Sequence, residues 1–138
     1  MNIAIRYYTK TGNTKKLADA IAEAVGVPAE SVDVPLEEPI DVLFLGSSVY
    51  AAGVDGKVKD FIASLDVEMV EKVVNFSTAA LLPSTFSQVT KLLSRRGIPI
   101  DEREFHCRGK FKFMHSGHPD QEDLRKVQTF ATGILNQL

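Results

Sequence analysis

A six-residue segment near the amino terminus is rich in groups that bind phosphate. Three threonine hydroxyls, a glycine that lets the backbone come close, and the first amides of the following helix would converge on one point. A phosphate dianion prefers such oriented N–H and O–H donors at the positive end of a helix dipole. We therefore predict a phosphate-binding loop made by Thr9, Lys10, Thr11, Gly12, Asn13 and Thr14.

A helix cap is the simpler interpretation of the same segment. Thr11 or Asn13 would cap the helix while Gly12 made the turn, since small polar residues favour helix starts. The density of donors at the first strand-to-helix connection favours phosphate over a plain cap. Two common nucleotide motifs are excluded, because the chain has neither a Gly-Lys-Ser/Thr sequence nor a three-glycine dinucleotide fingerprint.

Two long windows, residues 42–54 and 73–90, carry no charged side chain. Each begins as an apolar run typical of a buried strand and continues into a connection, where solvated loops are ordinarily polar. Such connections either pack against the core or form walls for a large, flat, neutral group. Tyr50 offers an aromatic face in the first window. Beside a phosphate loop, the two windows together predict a phosphorylated aromatic cofactor.

The elements that must position these segments alternate between strands and helices. This alternation predicts an α/β fold, with an open, doubly wound parallel sheet covered by helices on both faces. Ligands bind such sheets at the carboxyl ends of the strands, beside the topological switch point. We therefore expect the site just after Tyr8, Gly46 and Phe76. The predicted strands span residues 3–8, 31–34, 42–46, 72–76 and 98–105.

Helical periodicity predicts four helices around these strands. The first runs from Thr14 to a stop at Gly26, and a second follows the third strand. Thr85 and Gln88 have the spacing of a capping box for the third helix. Asp120 is placed to cap the last helix.

Composition is that of an ordinary globular domain. The chain has 138 residues, of which 44% are hydrophobic, and a formal net charge of -2. We predict a single domain over residues 1–138. The charge argues against a nucleic-acid partner, and polar residues throughout 73–90 argue against a membrane span. Cys107 stands alone and no secretory signal is evident, so we expect a reduced, cytoplasmic setting.

Other candidate chemistry is weaker. His115 and His118 are three residues apart, but no carboxylate or cysteine completes a convincing metal set, so we predict no metal site. His106 and Cys107 are adjacent in a predicted strand and would point to opposite faces, which argues against a cysteine nucleophile with that base. We expect no catalytic side chain.

The chain resembles the short-chain flavodoxins. The hydroxyl-rich loop 9–14, the uncharged segment 46–50 and the five-strand layout carry the resemblance, which covers nearly the whole chain. It implies a flavodoxin-like three-layer sandwich, with a five-stranded parallel sheet in the order 2-1-3-4-5 and helices on both faces. It also implies non-covalent FMN and electron transfer between a reductase and an acceptor enzyme. We expect a monomer.

The same resemblance assigns the loop to the FMN phosphate and two further segments to the flavin ring. Tyr50 stands where flavodoxins carry a Trp or Tyr against the ring, whereas the second ring segment lacks the usual Asp and stacking Tyr. Because both segments are uncharged, no cation would stabilise an anionic reduced flavin, which implies a low potential. The expected ring-binding residues are Ser48, Val49, Tyr50, Ala51, Ser77, Thr78, Ala79 and Ala80.

Two other functions stay open at this point. The small residues of segment 79–83 would leave one flavin face open to a substrate, as in an FMN-dependent NAD(P)H/quinone-type oxidoreductase. A flavin-free interaction domain that keeps the fold is the third interpretation. Rapid turnover of NAD(P)H and a quinone would distinguish the enzyme, and a colourless protein that ignores added FMN would distinguish the interaction domain.

Overall fold

The structure is a computed structural model that describes residues 1–49, 54–79, 84–108 and 117–138. Within these ranges, strands and helices alternate as the apolar pattern predicts. The strands are β1 (Ile3–Tyr7), β2 (Ala29–Ser31), β3 (Ile40–Val49), β4 (Val70–Ala79) and β5 (Phe105–Arg108). The helices are α1 (Asn13–Val25), α2 (Gly56–Ser64), α3 (Phe86–Ser94) and α4 (Gln121–Asn136).

The five strands in the described parts of the chain form one parallel sheet. Its order is β2-β1-β3-β4-β5, and every neighbouring pair is parallel. The chain direction across the sheet reverses between β1 and β3, which is the topological switch point where such folds bind ligands. The fold class and the strand order are therefore confirmed.

An apolar core lies on each face of the sheet. Leu45 and Val73 face α2 and α3, whereas Phe44 and Phe76 face α1 and α4. Because successive strand residues point to opposite faces, the odd-numbered apolar residues of β3 from Val42 onward and of β4 from Val73 onward belong to the first core, and the even-numbered ones to the second. This alternation decides which helix each polar residue near the strand ends can reach.

β1 ends one residue before its predicted end, and β3 and β4 each begin two residues before their predicted starts. Three other differences from the predicted boundaries have a structural reason. β2 begins two residues earlier, since residues 29–31 pair with residues 5–7 and a turn follows, in which Val34 N donates to Ser31 O at 3.0 Å. β3 and β4 extend three residues past their apolar runs, because residues 47–49 pair in register with 77–79.

The third difference is in β5, which begins at residue 105 rather than at residue 98 and follows a segment with a buried carboxylate. In the described segment 98–104, Ile100 makes a single bridge to Val73, and regular pairing starts only at residue 105. Asp101 is 6% exposed, with its Oδ2 3.1 Å from Lys72 Nζ and 2.9 Å from Arg103 Nη2. The backbone of this residue completes the bridge, since Asp101 N donates to Val73 O at 2.8 Å, while its side chain bonds to Lys72 and Arg103.

Two predicted helix ends are confirmed. α1 ends at Gly26, whose φ of 79° lies in the left-handed region that glycine adopts freely. α4 begins with a reciprocal capping box, in which Asp120 and Asp123 each accept a hydrogen bond from the other's backbone N–H at 2.9 Å. None of the described helices has the length and apolar character needed to cross a membrane.

The capping box predicted for α3 is wrong. Thr85 precedes the helix but makes no side-chain cap, because its hydroxyl turns toward the sheet and bonds with Ser47 and Asn75. Gln88 does not reach back to Thr85, since its Oε1 accepts a hydrogen bond from Val54 N at 2.8 Å. Both side chains of the predicted box therefore bind partners that are distant in sequence.

Candidate functional site

The predicted phosphate loop joins β1 to α1 through a tight turn at Gly12. Gly12 has a φ of 88°, a left-handed conformation that is costly for a residue with a side chain. Thr9 closes the turn, since its Oγ1 accepts a hydrogen bond from Gly12 N at 2.9 Å. A Cβ added at Gly12 would have no described atom within 4 Å. Backbone conformation therefore sets this turn, and its outer side leaves room for a ligand.

The start of α1 has the chemistry that suits an anion. The N-cap residue is Gly12, rather than Thr11 or Asn13, and glycine has no side chain with which to cap the helix. The first turn holds Lys15 and Lys16 and no acidic residue. The first amides of a helix lie outside its internal bonding pattern, and the helix dipole is positive there. Neither Thr11 nor Asn13 therefore occupies the N-cap position, and the donor set fits a phosphate.

The last two residues of the loop belong to the protein interior. Asn13 is 3% exposed and Thr14 is fully buried. Thr14 Oγ1 lies 3.0 Å from Thr78 Oγ1 and donates to Ser47 O at 3.3 Å. These bonds tie the beginning of α1 to β3 and β4. The side chains of the loop that keep solvent-accessible surface are therefore those of residues 9–11.

The described residues predicted to line a ring lie at adjoining strand ends. Ser48 pairs with Thr78, and Val49 with Ala79, in the last register positions of β3 and β4. Ser77, Thr78 and Ala79 are at most 1% exposed, and Ser48 is 6% exposed. Residues predicted to be loop are thus interior strand, and burial explains why this part of both windows carries no charge.

Three predicted site residues, Tyr50, Ala51 and Ala80, lie outside the described residues, as do residues 81–83. The structure places the points from which these segments leave the sheet, at the adjacent ends of β3 and β4. Both points lie beside the start of α1, through the Thr14–Thr78 contact. The structure therefore brings the described parts of the three predicted segments to one edge of the sheet, and the role of the ring residues stays a prediction.

A buried polar cluster, which we call the Thr85 cluster, lies on the α2/α3 side of these strand ends. Thr85 Oγ1 accepts hydrogen bonds from Ser47 Oγ at 2.9 Å and from Asn75 Nδ2 at 3.2 Å. Thr85 N donates to Ser77 Oγ at 3.4 Å, and all four residues are fully buried. Sequence analysis missed this cluster. The available signal was Asn75 and Ser77, two polar residues on one face of a strand that buries its neighbours.

Ion pairs surround the phosphate loop. Lys10 Nζ lies 3.4 Å from Asp55 Oδ2, and Asp55 also caps α2 by accepting a hydrogen bond from Lys57 N at 2.9 Å. Lys15 pairs with Asp19 at 2.7 Å, and the hydrogen bond from that pair raises the pKa of Lys15. Lys10 and Lys15 therefore each have a carboxylate within ion-pair distance.

Cys107 has the environment of an unreactive thiol. Burial raises its pKa to about 12, with smaller contributions from the charges of Asp123 and Asp120. The neighbouring His106 instead directs its Nδ1 to Glu104 Oε1 at 2.8 Å. Because a thiolate is the reactive form of cysteine, this geometry agrees with the prediction that Cys107 is not a nucleophile.

Among the described residues, one group has the spacing of a metal site. Candidate ligand atoms of His118, Asp120 and Asp123 lie within 4.8 Å of one another. His118 Nδ1 is 2.8 Å from Asp123 Oδ2, and this hydrogen bond raises the pKa of His118. Sequence analysis paired His118 with His115, which lies outside the described residues. Both carboxylates already serve the α4 capping box, so we assign this group no ligand.

Comparison with known proteins agrees with this architecture. A family model described as a flavodoxin domain matches residues 4–98. The uncharacterized protein MJ0298 of Methanocaldococcus jannaschii is 26% identical to this chain over 137 residues, and the match covers 89% of this chain and 90% of that protein.

Solved structures share the fold over most of the chain. A flavodoxin from the domain Archaea superposes with a TM-score of 0.79 at 18% identity, covering 99% of this chain and 98% of its own. A flavoprotein from Lactobacillus acidophilus NCFM, solved in complex with FMN, gives a TM-score of 0.61 at 15% identity, covering 78% of this chain and 92% of its own. Likeness at these identities shows the fold alone. The family match, by contrast, spans more than half of the sequence, and this chain therefore belongs to the flavodoxin family.

Proposed function

We propose that this chain binds FMN non-covalently and carries electrons at low potential between redox proteins. The observation that carries the proposal is the left-handed turn at Gly12, which starts α1 without a side-chain cap beside the ends of β3 and β4. Such a helix start suits a phosphate ester, and the adjacent strand ends suit the ring attached to it. Membership of the flavodoxin family and the FMN complex of the Lactobacillus flavoprotein support the same cofactor.

Different residues would bind the phosphate and the ring of FMN. Thr9 and Thr11 would donate hydroxyl hydrogen bonds to the phosphate. The start of α1 after Gly12 would supply backbone amides, since Gly12 N is already bonded to Thr9 Oγ1. Lys10 would add its backbone N–H and a nearby positive charge. Tyr50 would stack on the ring, and the buried strand ends at Ser48 and Thr78 would hold the ring segments in place.

Bound FMN would supply the redox chemistry, and the protein would tune it. Residues 42–54 and 73–90 carry no charge, so the strand ends and the segments after them offer a ring no cation of their own. Lys10, at the phosphate loop, is paired with Asp55. Surroundings of this kind disfavour added negative charge on the ring, which lowers its reduction potential.

The test of electron transfer uses the reconstituted, gel-filtered FMN complex. After chemical reduction under argon, the complex is mixed in a stopped-flow instrument with oxidised cytochrome c, a one-electron acceptor. We expect rapid, stoichiometric reduction of the cytochrome. The oxidised complex, given NAD(P)H and a quinone, should show no sustained turnover, because a carrier needs a separate reductase.

The opposite results would contradict the carrier role in different ways. Many turnovers of NAD(P)H and quinone per flavin would assign the chain to the FMN-dependent oxidoreductases. A reduced complex that fails to reduce cytochrome c faster than free reduced FMN does would remove the basis for electron transfer. A chain that retains no FMN through gel filtration would fit the interaction domain.

A further inference from the structure

We propose that Thr85 is a positioning residue for the flavin ring, because its buried side chain holds together the strand ends from which both ring segments leave the sheet. This inference rests on the proposed function and deepens it, since Thr85 lies outside the predicted binding residues. Thr85 stands in the connection between β4 and α3, immediately before the helix.

A single hydroxyl connects three elements. Thr85 Oγ1 accepts a hydrogen bond from Ser47 Oγ of β3 at 2.9 Å and another from Asn75 Nδ2 of β4 at 3.2 Å. The backbone N–H of the same residue donates to Ser77 Oγ, also of β4, at 3.4 Å. Thr85 therefore attaches the start of α3 to the two strands that border the candidate site.

Because the four residues are completely buried, loss of one of these hydrogen bonds should destabilise the strand ends. Ser47, Asn75, Ser77 and Thr85 each have 0% of their surface exposed, so water cannot replace a lost partner. Removing the Thr85 hydroxyl would leave the Ser47 hydroxyl and the Asn75 amide without their shared acceptor. Buried donors left in this way destabilise the arrangement that holds them, and the strand ends would shift or loosen in response.

The position of the cluster along the chain connects it to the ring rather than to the phosphate. Ser47 precedes the segment 50–53 by three residues, and Thr85 follows the segment 80–83 by two. The phosphate loop is attached to these strands by Thr14, whose hydroxyl contacts Thr78 Oγ1 and donates to the main-chain carbonyl of Ser47. Neither contact uses the Ser47 side chain, which bonds to Thr85 instead. Loosening the side-chain bonds of the Thr85 cluster would therefore add an ordering cost mainly to ring binding.

The test compares wild type, Thr85→Val and Thr85→Ser by the quenching of flavin fluorescence, once with FMN and once with riboflavin. We expect Thr85→Val to raise the Kd of both flavins by about tenfold, since both contain the ring. The ratio of the two Kd values should stay unchanged. Thr85→Ser keeps the hydroxyl and should return both Kd values to within about twofold of wild type.

Two further variants complete the design. Thr90→Val is the matched control in α3, because the Thr90 hydroxyl donates within the helix, to Phe86 O at 2.7 Å, and its loss should leave both Kd values unchanged. Ser47→Ala removes one donor of the Thr85 cluster. It should raise the Kd of both flavins, by less than Thr85→Val does. It replaces Thr85→Val if that variant does not fold.

The outcomes separate the two proposals. Wild type that binds FMN, combined with variants of Thr85 and Ser47 whose Kd values are unchanged, would overturn the positioning role alone. A selective loss of FMN relative to riboflavin, or a failure of Thr85→Ser to restore binding, would also overturn it. Wild type that binds no FMN would overturn the proposed function, and the positioning role with it.

Discussion

At the scale of single residues, Gly12 restricts the residue type at the start of α1 through its backbone conformation. Its φ of 88° lies in the left-handed region, and an added Cβ would meet no described atom within 4 Å. The cost of a side chain at Gly12 would therefore be backbone strain rather than a steric clash. The same backbone conformation presents the start of α1 to a phosphate.

Gly12→Ala should lower the free energy of unfolding of the apoprotein by about 1–2 kcal/mol, because alanine is strained at this φ. It should also weaken the binding of FMN more than that of riboflavin, since riboflavin has no phosphate to place at this turn. Urea unfolding and flavin-fluorescence titrations measure the two effects.

The matched control for that substitution is Gly56→Ala. Gly56 begins α2, has no left-handed φ, and likewise has open space around an added Cβ in the described structure. Alanine should be neutral or slightly stabilising there. Equal losses of stability in the two variants would contradict the assignment of strain to Gly12.

Gly12 and Thr85 differ in how far their structural roles could be predicted from the sequence. A glycine at the entry to a helix is a local signal, so the turn could be predicted from its neighbours. Thr85 carries an equally ordinary local signal, that of a helix cap, but its partners Asn75 and Ser47 lie 10 and 38 residues away. Only the folded sheet brings those partners to it.

At the scale of elements, Asp101 links the segment before β5 to the rest of the sheet. Hydrogen bonds from Arg103 and, secondarily, from Lys72 hold the pKa of Asp101 well below its usual range, against the opposing effect of burial. A carboxyl whose pKa is lowered by folding stabilises the native state above its unfolded pKa of about 3.9. That stabilisation is lost as the pH falls toward the folded pKa.

Asp101→Asn should therefore flatten the pH dependence of stability in acid. At pH 7 we expect the variant to be less stable than wild type by about 1.5–3 kcal/mol, since charge-assisted hydrogen bonds are lost. The difference should shrink steadily as the pH falls below about 4, because Asp101 then takes up a proton in the unfolded state while it stays ionised in the folded state. Urea unfolding at a series of pH values measures this.

Glu71→Gln is the control for Asp101→Asn. Glu71 is an exposed carboxylate on β4, next to Lys72 in sequence, and its replacement should change stability by less than about 0.5 kcal/mol. A constant difference between Asp101→Asn and wild type from pH 7 to pH 2 would contradict the proposed titration of Asp101.

Element identities could be predicted from the sequence better than element ends. Apolar runs located β1, β3 and β4, whereas the predicted second and fifth strands overlap β2 and β5 at only one residue each. In β3 and β4, hydrophobicity stopped at Gly46 and Phe76 while pairing continued through three more register positions. Backbone pairing and burial stabilise those positions. Polar residues such as Ser47 and Thr78 do not indicate a buried strand in the sequence. β5 was misplaced because Ile100 and its neighbours have the pattern of a strand, but their pairing is limited to one bridge with Val73, to which Asp101 N contributes a hydrogen bond.

At the scale of the whole molecule, the order β2-β1-β3-β4-β5 brings three separate stretches of sequence to one edge of the sheet. The turn at Gly12 and the strand ends at Val49 and Ala79 meet there only because β1, β3 and β4 are adjacent. The sequence predicted this convergence through topology, since parallel strands end at the same edge. It did not predict how deeply Ser77 and Thr78 are buried, which depends on packing from both faces.

The central claim is that this edge binds FMN by its phosphate and its ring together. Its most direct test is titration of flavin-free protein into FMN and into riboflavin, followed by flavin fluorescence. We predict saturable quenching at one FMN per chain, with riboflavin bound more weakly because it lacks the phosphate. FMN fluorescence that stays equal to that of the free flavin at every protein concentration would contradict the claim.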